Sequence, residues 1–140
     1  MIRPSVLRMA IAIGCVLIGA IHLRLYFDSY RDVPDSDIGR SFVLNAVAAG
    51  VAAVIVLVWT NRLALLAPLL LANATLVAFG LSRTDEGILD FTEKGWNPSP
   101  DAALSVAVEV ATALLAVFAL AREAVRPAGS DAPPAAPEYP

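Results

Sequence analysis

Four long apolar runs, set apart by short polar stretches, dominate the chain. They extend from Val6 to about Phe27, from Ile38 to Trp59, from Leu63 to Leu81 and from Ala102 to Ala121. About 20 helical residues, each rising 1.5 Å, cross a hydrocarbon core. Every run has that length, and a backbone in lipid must find its hydrogen-bond partners within its own helix. The pattern predicts an all-α membrane protein built as a four-transmembrane-helix antiparallel bundle. Thr60-Asn61-Arg62 alone separates the second and third runs, as in a tight helical hairpin. Pro68 falls in the first turns of the third, where a missing amide costs least. Ser99, Pro100 and Asp101 form a capping start for the fourth.

The first run begins after Arg3 and includes Arg8, so a cleaved signal is the competing reading. It is too long for a signal core and ends in His22-Leu23-Arg24-Leu25-Tyr26, without a small-residue cleavage site, so it is expected to stay. Beyond Arg126 the segment 127–140, rich in Pro and Ala, lacks periodicity and is expected to be a disordered cytoplasmic tail. Residues 1–126 then form the transmembrane domain.

Composition strengthens the lipid reading. The chain of 140 residues is 58% hydrophobic and 16% charged, whereas soluble domains are about 45–50% apolar and about 25% charged. A water-soluble chain this short has too much surface to hide the excess. The formal charge of −3, without a basic run, argues against a nucleic-acid partner. The lone Cys15 excludes an intrachain disulfide. Ala12-Ile13-Gly14-Cys15 resembles a lipoprotein box, but the apolar stretch before it is short and the run continues past it, which favours a small buried contact residue.

Charge also bears on orientation. With the N-terminus inside, Arg3, Arg8, Arg62, Arg122 and Arg126 are cytoplasmic, and Arg24, Arg31, Arg40, Arg83 and Lys94 lie opposite. The count is tied, but the first set has few acidic neighbours and the first helix usually dominates. The expectation is N-in/C-in in the cell membrane, with loops 28–38 and 83–101 extracytoplasmic.

An ionisable group within a span costs several kcal/mol on simple scales and needs a reason. His22 and Glu109 are two such groups. Cys15, Gly19, His22 and Tyr26 share one face of the first helix. Asn45, Ala49, Ala52 and Val56 do so on the second, and Ser105, Glu109, Thr112 and Ala116 on the fourth. Small and polar stripes of this kind make membrane helix contacts, so all three are expected to turn inward. His22, Asn45 and Glu109 then share a layer in the outer third, and Asn73, nearer the midplane, is expected to bond across the bundle. Interhelical glue is the leading reading of this cluster. The alternatives are a site for a proton, a metal ion or the polar end of a lipid-soluble ligand, and an oligomer contact. One His and one carboxylate fall short of a metal's usual three or four ligands, and a lone His per chain makes a poor haem site. No cofactor is expected.

Tyr26, Phe27, Tyr30, Trp59 and Trp96 read as interfacial anchors. Residues 30–37 read as a turn leading into a capped helix. The loop from Arg83 to Pro98 carries Asp85, Glu86, Asp90 and Glu93, too sparse for calcium, and is expected to be a solvated acidic face. There is no phosphate-cradling glycine loop, nucleophile elbow or paired-cysteine motif, and His22 has no exposed nucleophile beside it. These absences argue against an enzyme.

Gly19-Ala20-Ile21-His22-Leu23, Tyr30-Arg31-x-x-Pro34, Gly39 with Phe42-x-Leu44-Asn45, and Gly95-Trp96-x-Pro98 leading to Glu109 resemble a group of actinobacterial four-helix membrane proteins of unassigned function. The resemblance runs from about Gly19 to Ala121 and implies a bacterial plasma-membrane protein. It transfers no site residue. The leading functional expectation is a non-enzymatic accessory or scaffold subunit of a membrane complex. The alternative is a homo-oligomeric transporter or proton-coupled carrier using His22 and Glu109, and a weaker third is a quinone- or redox-linked protein.

Overall fold

A computed structural model describes residues 5–34 and 37–125. The expectations made for Arg3, Arg126, Asp35, Ser36 and the tail 127–140 lie outside the described residues. Helix α1 spans Val6–Leu25 and runs on into a π-helical turn, Tyr26–Tyr30. Helix α2 spans Ile38–Val58. A short 3-10 turn, Arg62–Leu65, leads into α3, Leu66–Leu81. Helix α4 spans Asp101–Val125, a turn longer at its end than its apolar run.

With the short turns included, the four helical segments run 20 to 25 residues with mean hydropathy of 2.0 to 2.5 in their most apolar windows, long and apolar enough to cross a membrane. The chain folds as a multi-pass, up-down-up-down bundle. Each helix packs against its neighbours in sequence, and α1 closes the ring on α4. The α1–α2 seam is the most extensive and the α2–α3 seam the least. Ile13, Val47, Leu70 and Leu114, one from each helix, are each more than half exposed. Apolar side chains turned outward on all four helices suit lipid, and in water they would form one large sticky surface.

One end of the bundle, the turn end, holds the start of α1, the α2–α3 turn and the end of α4. The other, the loop end, holds residues 31–34, the start of α2 and the connection 82–100. Ile11, Cys15, Ala52, Val56, Leu65 and Ala116 pack a dry core toward the turn end. A second cluster at the loop end joins Leu25, Tyr30 and Ile38 to Phe42, Ile88 and Phe91.

The first turns of two helices are capped locally. The Ser5 hydroxyl accepts the Arg8 amide, and the Asn61 side chain accepts that of Ala64. The Asp37 carboxylate does not cap α2; it takes the Arg40 guanidinium at 2.9 Å instead.

At the turn end Arg8 is buried. Its guanidinium donates to the carbonyls of Val56, Trp59, Thr60 and Asn61 and to the Glu123 carboxylate at 3.0 to 3.2 Å. The closing carbonyls of a helix lack partners of their own, and a rigid fork of donors satisfies them. Arg8 therefore joins α1, α2 and α4 at one point, a role its reading as a flanking basic residue did not foresee. Glu123, the one acid near Arg8, Arg62 and Arg122, was the available clue.

The inward faces predicted for α1, α2 and α4 are the ones that pack. Cys15, His22, Ala49, Ala52, Val56, Ser105, Glu109, Thr112 and Ala116 are all buried. The loop 82–100 differs from the solvated acidic face expected of it. Ile88 and Phe91 pair their backbones across a tight turn whose central residues, Leu89 and Asp90, both have positive φ. That turn tucks Ile88 and Phe91 into the loop-end core. Gly87 just before it has φ +67°, and a Cβ there would strike the Phe91 carbonyl. Asp85, Glu86 and Asp90 are exposed, Glu93 turns in to the Tyr30 hydroxyl, and the apolar pair caps the bundle.

Candidate functional site

The loop half of the bundle encloses a cavity of about 370 Å³. His22 comes from α1, Asn45 from α2, Thr75 from α3, and Ser105 and Glu109 from α4, with Ile88 and Phe91 of the loop lining its end. Leu44, Ala48 and Ala74 also line it and are exposed, so it opens sideways between α2 and α3, along the thinnest seam. Its walls are mainly apolar.

The ionisable pair His22 and Glu109 lies on the side formed by α1 and α4. His22 Nε2 lies 3.7 Å from Glu109 Oε1. His22 Nδ1 faces the Ile18 carbonyl at 2.9 Å, and because a carbonyl only accepts, Nδ1 carries the proton. Nε2 and the carboxylate oxygen would then be two acceptors face to face. At 3.7 Å they are too far apart to hydrogen-bond, and a single proton carried by either atom removes the repulsion. Ser105 donates to Glu109 Oε1 at 2.9 Å. The His22 ring also lies 5.3 Å from that of Phe42.

Asn45 donates to Thr75 Oγ1 at 2.6 Å across the α2–α3 seam. Two buried oxygens, Asn45 Oδ1 and Glu109 Oε2, have no protein partner. Buried polar atoms are nearly always hydrogen-bonded, so two unpaired acceptors lining one cavity mark a place where something else supplies the donors.

Of the four residues predicted to share a polar cluster, three reach this cavity. Asn73 does not: it sits on the exposed side of α3 and donates back to the Leu69 carbonyl at 2.7 Å. A long polar side chain facing lipid is satisfied most cheaply by its own helix. Tyr30 is also corrected, for it is buried rather than interfacial. It stacks on Phe42 at 4.3 Å and meets Phe91 edge-on at 5.5 Å. The π-helical turn accompanies this placement, and Gly39 lets α2 approach, since a Cβ there would lie 2.6 Å from the Tyr30 carbonyl. Tyr26 is half-buried, while Trp59 and Trp96 are exposed.

Thr75, Ser105 and Arg83 were missed as site residues. Thr75 reads as an ordinary residue of an apolar helix, and only its pairing with Asn45 reveals it. Arg83 lies over the Phe79 ring at 3.7 Å and donates to Gly95 and Asn97 carbonyls at 3.1 and 2.8 Å, and to Ser82. It clasps the loop over the cavity. Arg83→Ala should loosen this cover: exchange of the Ile88, Phe91 and Glu93 amides should rise roughly tenfold, as loss of about 1.4 kcal/mol of local bonding implies. Hydrogen exchange read by mass spectrometry checks this, with the α1 amides as an unchanged reference.

Among the described residues no three His, Cys, Asp or Glu side chains converge as a metal site would require. The chain matches no protein-family model, no curated protein and no solved structure.

Proposed function

We propose that this is a non-enzymatic accessory protein of the bacterial cell membrane, akin to the actinobacterial four-helix proteins it resembles, and that it holds a lipid-soluble small molecule in the loop-half cavity. The observation that carries the reading is the cavity itself. It has apolar walls, a side opening toward lipid and two unpaired buried acceptors. Ligand sites for small molecules share this design of a largely apolar cleft with a few placed polar groups, at volumes of about 300–1,000 Å³. The basic and acidic residues on either side favour N-in/C-in, with the loops and the cavity on the extracytoplasmic half.

Ala74→Phe tests the reading, since it adds a ring at the exposed mouth and leaves the polar groups intact. Solvent extracts of the wild-type protein, purified in mild detergent, should contain a small molecule in near-equal amount to the chain, and the variant should lose most of it. Identical extracts would reject the cavity as a binding site. The accessory role predicts a stoichiometric membrane partner in the same preparation, and a solitary protein would count against that part.

A second reading, a homo-oligomeric proton-coupled carrier, is favoured by the His22–Glu109 contact, where one proton can be exchanged. In liposomes Glu109→Gln should then abolish pH-driven flux of the ligand, and undiminished flux would reject it.

A further inference from the structure

The hydrogen-bond directions around the cavity say more about its occupant than the volume does. Ser41 donates to the Ile38 carbonyl, Thr75 to that of Leu71, and Ser82 to that of Phe79. Ser105 donates to Glu109, Asn45 to Thr75, and His22 Nδ1 to Ile18. The serine and threonine hydrogens, the Tyr30 hydroxyl, which Glu93 takes, and one of the two Asn45 amide hydrogens are therefore spent on the protein, while Asn45 Oδ1 and Glu109 Oε2 remain as open acceptors. Arg83, the cation among the lining residues, is turned onto the loop carbonyls and the Phe79 ring. A carboxylate, phosphate, ester or ketone head would meet acceptors with its own acceptors. The head that fits is a donor.

Charge narrows the class. The His22–Glu109 pair is neutral overall while it holds one proton, so a cation added to it would be buried without compensation. A neutral amine avoids that cost by taking the pair's proton. We infer that the cavity takes up a small lipophilic amine, entering from lipid in its neutral form, and transfers to it the proton that the His22–Glu109 pair carries. The nitrogen lone pair gains the N–H bond, and the bond to that proton at Nε2 or the carboxyl oxygen breaks. His22 is left neutral and protonated on Nδ1, Glu109 is left as carboxylate, and the new ammonium pairs with it. The net charge of the site does not change. Asn45 Oδ1 is a second acceptor on the opposite wall. The other ionisable side chains lining the cavity are Tyr30 on the π turn and Arg83 at the loop, and α2 and α3 contribute none but the amide of Asn45 and hydroxyls. This inference rests on the cavity being a ligand site and specifies what that site binds.

The test uses the full chain in phosphatidylcholine nanodiscs and three probes of one body with different heads: octylamine, octanol and octanoate. Titration calorimetry near neutral pH, run in two buffers of different ionisation enthalpy and corrected with empty nanodiscs, reads both affinity and protons. In water octylamine is an ammonium ion, titrating near the lysine value of about 10.4. Its capture should therefore release about one proton per bound molecule, displaced from the His22–Glu109 pair. Octylamine should bind saturably, at least tenfold more tightly than octanol, with octanoate not binding. Glu109→Gln and Ala74→Phe should each weaken octylamine at least tenfold. If Glu109→Gln does not fold, Ala74→Phe and the proton count decide alone. Saturable amine binding without proton release, or equal binding of octanol, overturns the inference. Octanol or octanoate bound in an Ala74→Phe-sensitive manner without octylamine overturns the amine and keeps the cavity as a site. Binding of no probe that responds to Ala74→Phe overturns both.

Discussion

Replacing Arg8 with methionine should cost the bundle about 3 kcal/mol, within the range seen when one partner of a buried pair is removed. The guanidinium reaches four carbonyls at the end of α2 and the Glu123 carboxylate at once. Methionine fills similar space with an apolar stem but leaves the carboxylate and the carbonyls without donors. Each stranded group carries its own desolvation cost. Arg8→Lys should recover less than half, because three donors on one nitrogen do not match the spread of a fork. The Arg8→Met/Glu123→Met double variant should be more stable than Arg8→Met alone, since it removes the stranded charge. Unfolding in mixed micelles, followed by circular dichroism, measures all four proteins. A loss of less than about 1 kcal/mol in Arg8→Met would mean that the contact is a dispensable surface pair of the usual kind.

The second large effect should come from a single methyl group at Gly14. A Cβ built there overlaps Thr112 Oγ1 and lies 3.3 Å from both Thr112 Cβ and Cγ2. Thr112 is buried, and its hydroxyl donates to the Val108 carbonyl at 2.7 Å, so its rotamer is held. Gly14→Ala must push α1 from α4 or break that bond, and overpacking of this kind costs about 1–3 kcal/mol. Thr112→Ala added to it removes the overlapping oxygen and should restore most of the stability. Gly50→Ala is the matching control: its Cβ meets nothing within 4 Å, so the change should stay within about 0.5 kcal/mol. Unfolding midpoints of the wild type, Gly14→Ala, Thr112→Ala and the double variant form the double-mutant comparison, with Gly50→Ala beside it. An unrescued Gly14→Ala would place the fault elsewhere in the helix.

The helices and the inward faces were legible because lipid leaves little choice. Spans must be long, apolar and helical, and the small or polar stripe must face protein. His22 and Glu109 stood out for the same reason, and helical spacing placed them at a common depth. Asn73 was misread because depth was known while rotation was not. The outward faces of α3 are nearly as apolar as its inward ones, so nothing in the pattern said which way residue 73 turned. Tyr30 was misread because an aromatic near a span end usually marks the interface, and a π-helical turn is not visible in apolar periodicity. The apolar Ile88 and Phe91 were overshadowed by the acids around them. Directions of hydrogen bonds, which identify the cavity's spare acceptors, depend on tertiary contacts and leave no sequence signature.

The three-residue connection between α2 and α3 also makes those helices a pair of tongs. Thr60 and Asn61 form the pivot, and Asn45 sits about 20 Å up one arm at 1.5 Å per residue. At that leverage, a change of about 6° at the pivot parts the tips by about 2 Å, while Arg8 grips the pivot itself. On the proposed reading, admission of a guest from lipid would need no rupture at the anchored end: among the described residues, the side-chain hydrogen bond between the arms is Asn45 to Thr75, the latch.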